Sequence, residues 1–346
     1  MRQPPPIVEI AWRAGEPMAI ALFDDEVRAY HKDGKRAWSY RAPWQLSAFA
    51  VARRSGHSIV VSEDERKLSV VDPRGAESFR MEDQDTGCLE LAISPDGKHV
   101  GLLSNAGQVS WIKTDTGDVS NFTVDDACSI EVSSEAGLIG VGLHNGYSLF
   151  GAGGKPIWER DLPKMSVVHS AISPRGDFMV LMASPGCRLI VLDRDGDIRL
   201  EDYRRFLPKD LALSGAGCFA AAYGMDDDDL GVPFSEPVRL DLYAPGETGP
   251  LDFRTVASAR VRCFDLTPDG TLVTLDSEGI VEAWPRPERR DERSGEALWS
   301  FHADGEALAI SAPGKDGPVF AIFWDDDAGE MHFDYRDIRE YRHGPA

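Results

Sequence analysis

Two acidic stretches hold the residues best placed to do chemistry. In LDRDGDIRL, Asp193, Asp195 and Asp197 alternate through a tight turn. Carboxylates at that spacing can converge on one hard cation such as calcium, although such loops also use a bidentate Glu at their twelfth position. No such Glu follows here. The competing reading is a plain turn, in which Asp and Gly are favoured for backbone reasons alone. In GMDDDDLGVPFSEP, Asp226, Asp227, Asp228 and Asp229 form a run of four carboxylates beside Leu230, Val232 and Phe234. A charge run is a solvated loop by default. Acid next to apolar anchors also suits docking onto a basic protein surface.

Elsewhere the chain offers little that could react. No nucleophile elbow, zinc-protease, phosphate-loop or dinucleotide glycine pattern occurs. The histidines are scattered, and His144 and His169 are simply those nearest the ends of predicted strands. Cys88, Cys128, Cys187, Cys218 and Cys263 are odd in number and include no CxxC pair, so neither a disulfide framework nor a structural zinc is expected. The residues therefore predict no catalytic group, no cofactor and no metal ligand set. A net charge of -21, from 37 basic and 58 acidic side chains, argues against nucleic acid and anionic membranes as partners. With no signal-like leader and no apolar run of the roughly 20 residues that a membrane helix needs, a cytoplasmic location is expected.

The elements that would position these residues follow from a repeated pattern. In LELAISPDGKHVGLLSNAGQVSWIKTDTGDV, Leu89, Leu91 and Ile93 alternate with Glu90, Ala92 and Ser94, the signature of a strand with one buried face. SPDGK then turns the chain, HVGLLS reads as a strand buried on both faces, NAG turns again, and QVSWIK, DTGD and VSNFTV supply a third strand, a turn and a fourth strand. The first turn recurs at Gly15, Gly56, Gly97, Gly137, Gly176, Gly217, Gly270 and Gly314. The third recurs at Gly34, Gly75, Gly117, Gly154, Gly196, Gly246 and Gly295. Two registers sharing a spacing near 40 residues, with four strands per unit, predict an all-β fold: one β-propeller domain over residues 1–346 made of four-stranded antiparallel blades. Eight repeat units are counted, with starts near 7, 47, 88, 127, 167, 209, 260 and 305. The last has a poorly defined fourth strand, so seven blades stay possible.

AISPDGKHVGLL, AISPRGDFMVLM and DLTPDGTLVTLD resemble the inner-strand turns of WD-repeat and related propellers. DGKRAWSY, GGKPIWERD and RSGEALWSF are similar to the tryptophan-docking segments of quinoprotein-like propellers, with Trp38, Trp158 and Trp299 each four residues after a turn glycine and Phe79 in the same place after Gly75. The resemblance implies that these tryptophans lie across a neighbouring blade's peptide plane and have a structural docking role. The Gly-His and Trp-Asp signatures of true WD repeats are missing.

Strand direction alternates within a blade, so first and third turns share one rim, and second turns lie on the other. The second turns carry Asp24, Asp25, Glu63, Asp64, Asp276, Glu278, Asp325, Asp326 and Asp327, and residues 224–237 are inserted on the same side in the sixth unit. The opposite rim carries Arg13, Arg53, Arg54, Lys98, Arg175, Lys315, Lys32, Lys35, Arg36, Arg74 and Lys155. The sequence thus favours a non-catalytic protein-protein interaction scaffold, with an acidic rim and the insertion meeting a basic partner. The alternative is a small-molecule, calcium or quinone site in a central channel, of hydrolase, lactonase or oxidoreductase type. Its only first-strand candidates are Glu90, Glu131, His169, Arg262 and Asp265.

Overall fold

A computed structural model describes residues 6–336 except 83–86, 134, 136, 186–187, 204–206, 215–217, 225–238, 245–251, 257–260, 268, 277, 286–296, 303–305, 313–317, 326–327 and 329. The architecture is an eight-bladed β-propeller. Seven antiparallel sheets have four strands in sequential order, and the eighth has three among the described residues. The first strands are Ile7–Arg13, Leu46–Val51, Cys88–Ile93, Ala127–Val132, Ser166–Ile172, Leu207–Leu213, Val261–Leu266 and Glu306–Ser311. Eight blades therefore replace the range of seven to eight that the sequence left open.

Contacts divide the chain into two compact units, one formed by Pro6–Met179 with Arg194–Gly196 and the other by Val180–Asp193 with Asp197–Ala346. In the first unit, blades 2 and 3 each bury their two faces against different neighbours. Val100, Leu102 and Ile112 of blade 3 pack with Ile59, Val61 and Val70 of blade 2. Leu103, Val109 and Trp111, on the other face, pack with Ile130, Val132 and Val141 of blade 4. Consecutive residues Leu102 and Leu103 thus enter different cores, which is why HVGLLS shows no polar alternation. The second unit repeats the device, with Leu240 and Leu242 packing with Val261 and Leu272.

The turns have a shared chemistry. The glycines predicted at first and third turns that are described, from Gly15 to Gly270 and from Gly34 to Gly196, all have positive φ, a region that a side chain disfavours. A buried hydroxyl closes the first turn by accepting the next strand's leading N–H: His99 to Ser94 at 3.0 Å, Leu138 to Ser133 at 2.9 Å, Phe178 to Ser173 at 3.2 Å, Cys218 to Ser214 at 3.1 Å and Thr271 to Thr267 at 2.9 Å. First turns are also stitched between blades, with Trp12 N–H donating to Arg53 O at 2.7 Å, Arg54 N–H to Pro95 O at 2.8 Å and Glu135 N–H to Pro174 O at 2.8 Å.

Fourth-strand aromatics meet the third-turn glycine of the next blade. Trp38 lies over Gly75, Phe79 over Gly117, Phe122 over Gly154 and Trp158 over Gly196. The Trp158 indole N–H also donates to Arg194 O at 2.8 Å. At Gly75 a methyl group would come within 2.9 Å of Trp38, whereas at Gly15, with almost the same φ, it would meet nothing within 4 Å. Gly15→Ala should therefore cost about 1 kcal/mol of backbone strain. Gly75→Ala adds an overlap with the indole and should cost about 2–4 kcal/mol. Urea unfolding of the two variants measures the difference directly.

Candidate functional site

The side of the first unit that carries the second turns is fixed by main-chain bonds to the connections between blades. Ala42 and Leu46 N–H donate to Asp25 and Asp24 O at 2.9 and 2.8 Å, Cys88 N–H to Glu65 O at 3.1 Å, His144 N–H to Asp126 O at 3.0 Å and Leu162 N–H to Asn145 O at 2.7 Å. On this side of the first unit, Asp24, Glu63, Asp64, Glu65, Glu82, Asp125 and Asp126 are exposed. Asp25 has Arg41 at 3.5 Å, Asp64 has Lys67 at 3.7 Å and Glu82 has Arg80 at 3.3 Å. Asp24, Glu63, Glu65, Asp125 and Asp126 have no cationic partner among the described residues.

The opposite side looks different once partners are counted. Lys32 pairs with Glu16 at 2.9 Å, Lys35 with Asp33 at 2.7 Å, Arg74 with Asp72 at 2.8 Å, and Arg54 and Arg175 with Glu135 at 3.9 and 3.3 Å. These cations sit beside acids of their own turns or of neighbouring blades. A basic rim read by counting Lys and Arg overlooks those acids.

Asp193 is a turn-former. Its carboxylate accepts the Asp197 N–H at 2.9 Å and meets Arg199 at 2.5 Å. Among the described residues, no group of three His, Cys, Asp or Glu is arranged to hold a metal ion. Residues 225–238, including Asp226, Asp227, Asp228, Asp229, Leu230, Val232 and Phe234, lie outside the described residues, as does Cys187. Of Trp299 only the backbone, at the start of the strand Trp299–His302, is described.

The first-strand polar groups are used between neighbouring strands. Glu90 accepts the Ile130 N–H of the next blade at 2.7 Å. Asp265 accepts from Ser311 Oγ, and Arg262 donates to Glu306 at 3.1 Å. The Cys128 and Cys263 thiols point to Val167 O at 3.0 Å and Leu308 O at 3.3 Å in the following blades. Burial pushes the Cys263 thiol up to about 12 and the Cys88 thiol to about 11, so neither is a ready nucleophile. His144 is exposed beside Ser166 Oγ at 3.0 Å, Glu131 lies near buried Tyr147, and His169 is half-buried in its strand. Glu9, which the sequence did not single out, makes a bridge of the same kind to the Val51 N–H.

Burial raises the Glu90 carboxyl to about 7, partly offset by the Ile130 N–H. A carboxyl raised above its unfolded value contributes fully at low pH and loses that contribution as pH climbs from about 4.5 through about 7. Glu90→Gln keeps an acceptor for Ile130 and removes the charge. Relative to the parent, the variant should therefore gain about 1–3 kcal/mol between pH 5 and pH 8. Paired denaturation curves at the two pH values check this.

No family model and no curated protein matches the sequence. Solved structures do. The Dos1 propeller aligns with a TM-score of 0.68 at 12% identity over 97% of this chain and 93% of that one. BamB from Moraxella catarrhalis aligns with a TM-score of 0.54 at 14% identity over 95% and 96%. The Swd1 β-propeller domain of Myceliophteria thermophila aligns with a TM-score of 0.53 at 11% identity over 84% and 96%. The chain is thus similar to propellers in fold, and no helix among the described residues is long and apolar enough to cross a membrane.

Proposed function

We propose that this protein is a non-catalytic interaction scaffold whose second-turn side receives a basic surface of a partner protein. The observation that carries the reading is the set of exposed acids Asp24, Glu63, Glu65, Asp125 and Asp126, which gather on one side of the first unit with no cation beside them among the described residues. Like charges held on short turns repel one another, and a cationic partner relieves that repulsion while gaining a faster encounter. The acidic and apolar segment Asp226 to Phe234, which the sequence inserts between a second and a third strand, would add anchors. Support also comes from the use of first-strand polar groups as bridges between blades, which leaves turns as the natural recognition surface of a rigid frame.

The test is quantitative affinity capture with three forms of the full chain. Neutralising Asp24, Glu63, Glu65, Asp125 and Asp126 together to Asn or Gln, or deleting residues 226–236, should each reduce retained partner about ten-fold, as should raising salt from about 0.05 to about 0.5 M. Lys35→Gln, on the other side, should change nothing. Stoichiometric calcium or quinone in the purified protein, or capture indifferent to both acidic variants, would replace the scaffold with the channel-site alternative.

A further inference from the structure

The joint between blades 3 and 4 contains a hydrogen bond that a proton can break. Trp111, on the third strand Gln108–Lys113, is buried and packs with Ile130, Val132 and Val141 of blade 4. The benzene edge of its ring lies against Gly137 in the first turn of that blade, where a methyl group would meet it at 3.8 Å. Its indole N–H donates to Nδ1 of His99, at the head of the second strand His99–Ser104, at 3.2 Å. The two rings meet edge to face with centroids 5.6 Å apart. The main chain of His99 is held separately, its N–H donating to Ser94 Oγ at 3.0 Å and its carbonyl accepting the Ser94 N–H at 2.9 Å.

An indole N–H can only donate, so Nδ1 must hold a lone pair and the neutral ring carries its proton on Nε2. A protonated imidazole has N–H groups at both nitrogens, which removes the bond and sets two donors face to face. Burial is the largest influence on the half-buried ring and holds it below the ordinary histidine value, while Asp96 and Asp115 favour its protonation and Lys113 and Lys98 oppose it. From blade 2, His57 lies against Gly97, with Asp72, Arg13 and Asp96 around it. From blade 4, Glu135 is engaged by Arg54 and Arg175, and Glu131 lies near Tyr147.

We propose that His99 is a pH-sensitive clasp on the joint between blades 3 and 4: the neutral imidazole holds Trp111 in the joint, and protonation at Nδ1 releases the indole. Trp111 also lines a recess of about 460 Å³ with Ser120 and Gly153, so a released ring has open space on one side. Phe122, over Gly154, has no titratable partner in its contact and keeps the outer part of the joint closed in either state. A histidine whose folded value lies below its unfolded one contributes stability above the unfolded value and loses it as pH falls, so the clasp weakens on acidification. Glu90, at the same joint, works in the opposite direction through its bond to Ile130, so a comparison with a His99 variant is needed to isolate the clasp.

The experiment is NMR of the full chain with isotope-labelled His and Trp, titrated from about pH 8 to about pH 5. The Trp111 indole signal is assigned by its loss in Trp111→Phe. At the alkaline end the His99 ring should be in the Nε2–H form, and as it titrates the Trp111 signal should shift with the same midpoint, below the ordinary histidine value. His99→Asn, which keeps an acceptor near the place of Nδ1 and cannot take up the proton, should make the Trp111 signal independent of pH, whereas His57→Gln should leave the parent's response in place. Urea unfolding gives a second readout: relative to His99→Asn, the parent's unfolding constant should rise roughly three-fold or more on acidification over the same range. An Nδ1–H form at alkaline pH, a Trp111 signal that stays fixed while His99 titrates, a shift that survives in His99→Asn or vanishes in His57→Gln, or a ratio of unfolding constants that does not change would overturn the proposal. None of these readouts involves a partner, so the clasp and the scaffold reading fail separately.

Discussion

Everything in this fold depends on a small sheet having two apolar faces. A four-stranded blade with strands of five or six residues cannot bury either face on itself, so each face must find a neighbour. Blade 3 shows the consequence at single-residue resolution: Leu102 goes to one core and Leu103 to the next. Backbone polarity is satisfied within each sheet, and side-chain apolarity is satisfied only between sheets. The two requirements together make the repeat, rather than the blade, the unit that folds stably.

Polar groups then fill the places that apolar packing cannot. Hydroxyls at Ser94, Ser133, Ser173, Ser214 and Thr267 close first turns, and carboxylates at Glu9 and Glu90 reach main-chain donors on adjoining first strands. A buried carboxylate is an expensive way to satisfy one N–H, which is why its pKa climbs toward neutrality. The cost is tolerable because an unsatisfied buried donor would also be destabilising. Glu90, Arg262 and Asp265, which look like channel chemistry in the sequence, are therefore occupied with joining one blade to the next.

How much of this could be read in advance depended on whether a residue's meaning is local. Gly97 and Gly117 declare themselves because positive φ is a local demand, and two registers of such glycines revealed the repeat and the strand order. Trp38 and Trp158 were visible because they sit at a fixed step after those glycines. Phe122 was not, since in blade 3 Ile112 pairs with Val119 without the bulge seen before Trp38, Phe79 and Trp158, and the aromatic no longer falls at that step. The partners of the basic residues were also hidden: Glu135 comes close to both Arg54 and Arg175 from 81 and 40 residues away, by sequence number. Charge counted by turn type overstated the basic side, because it could not see those acids.

What remains free for recognition is decided by what the frame consumes. Among the described residues, sheet faces are spent on packing, several first turns on stitching blades together, and Glu9 and Glu90 of first strands on bridges, which leaves the second turns open to solvent. Asp24, Glu63 and Glu65 on second turns have no cation beside them among the described residues, and the field of such exposed acids reaches about a Debye length into solvent. Steering and fit are separable terms in association, so exposed turn acids bear on the rate of an encounter with a cationic surface more than on its lifetime.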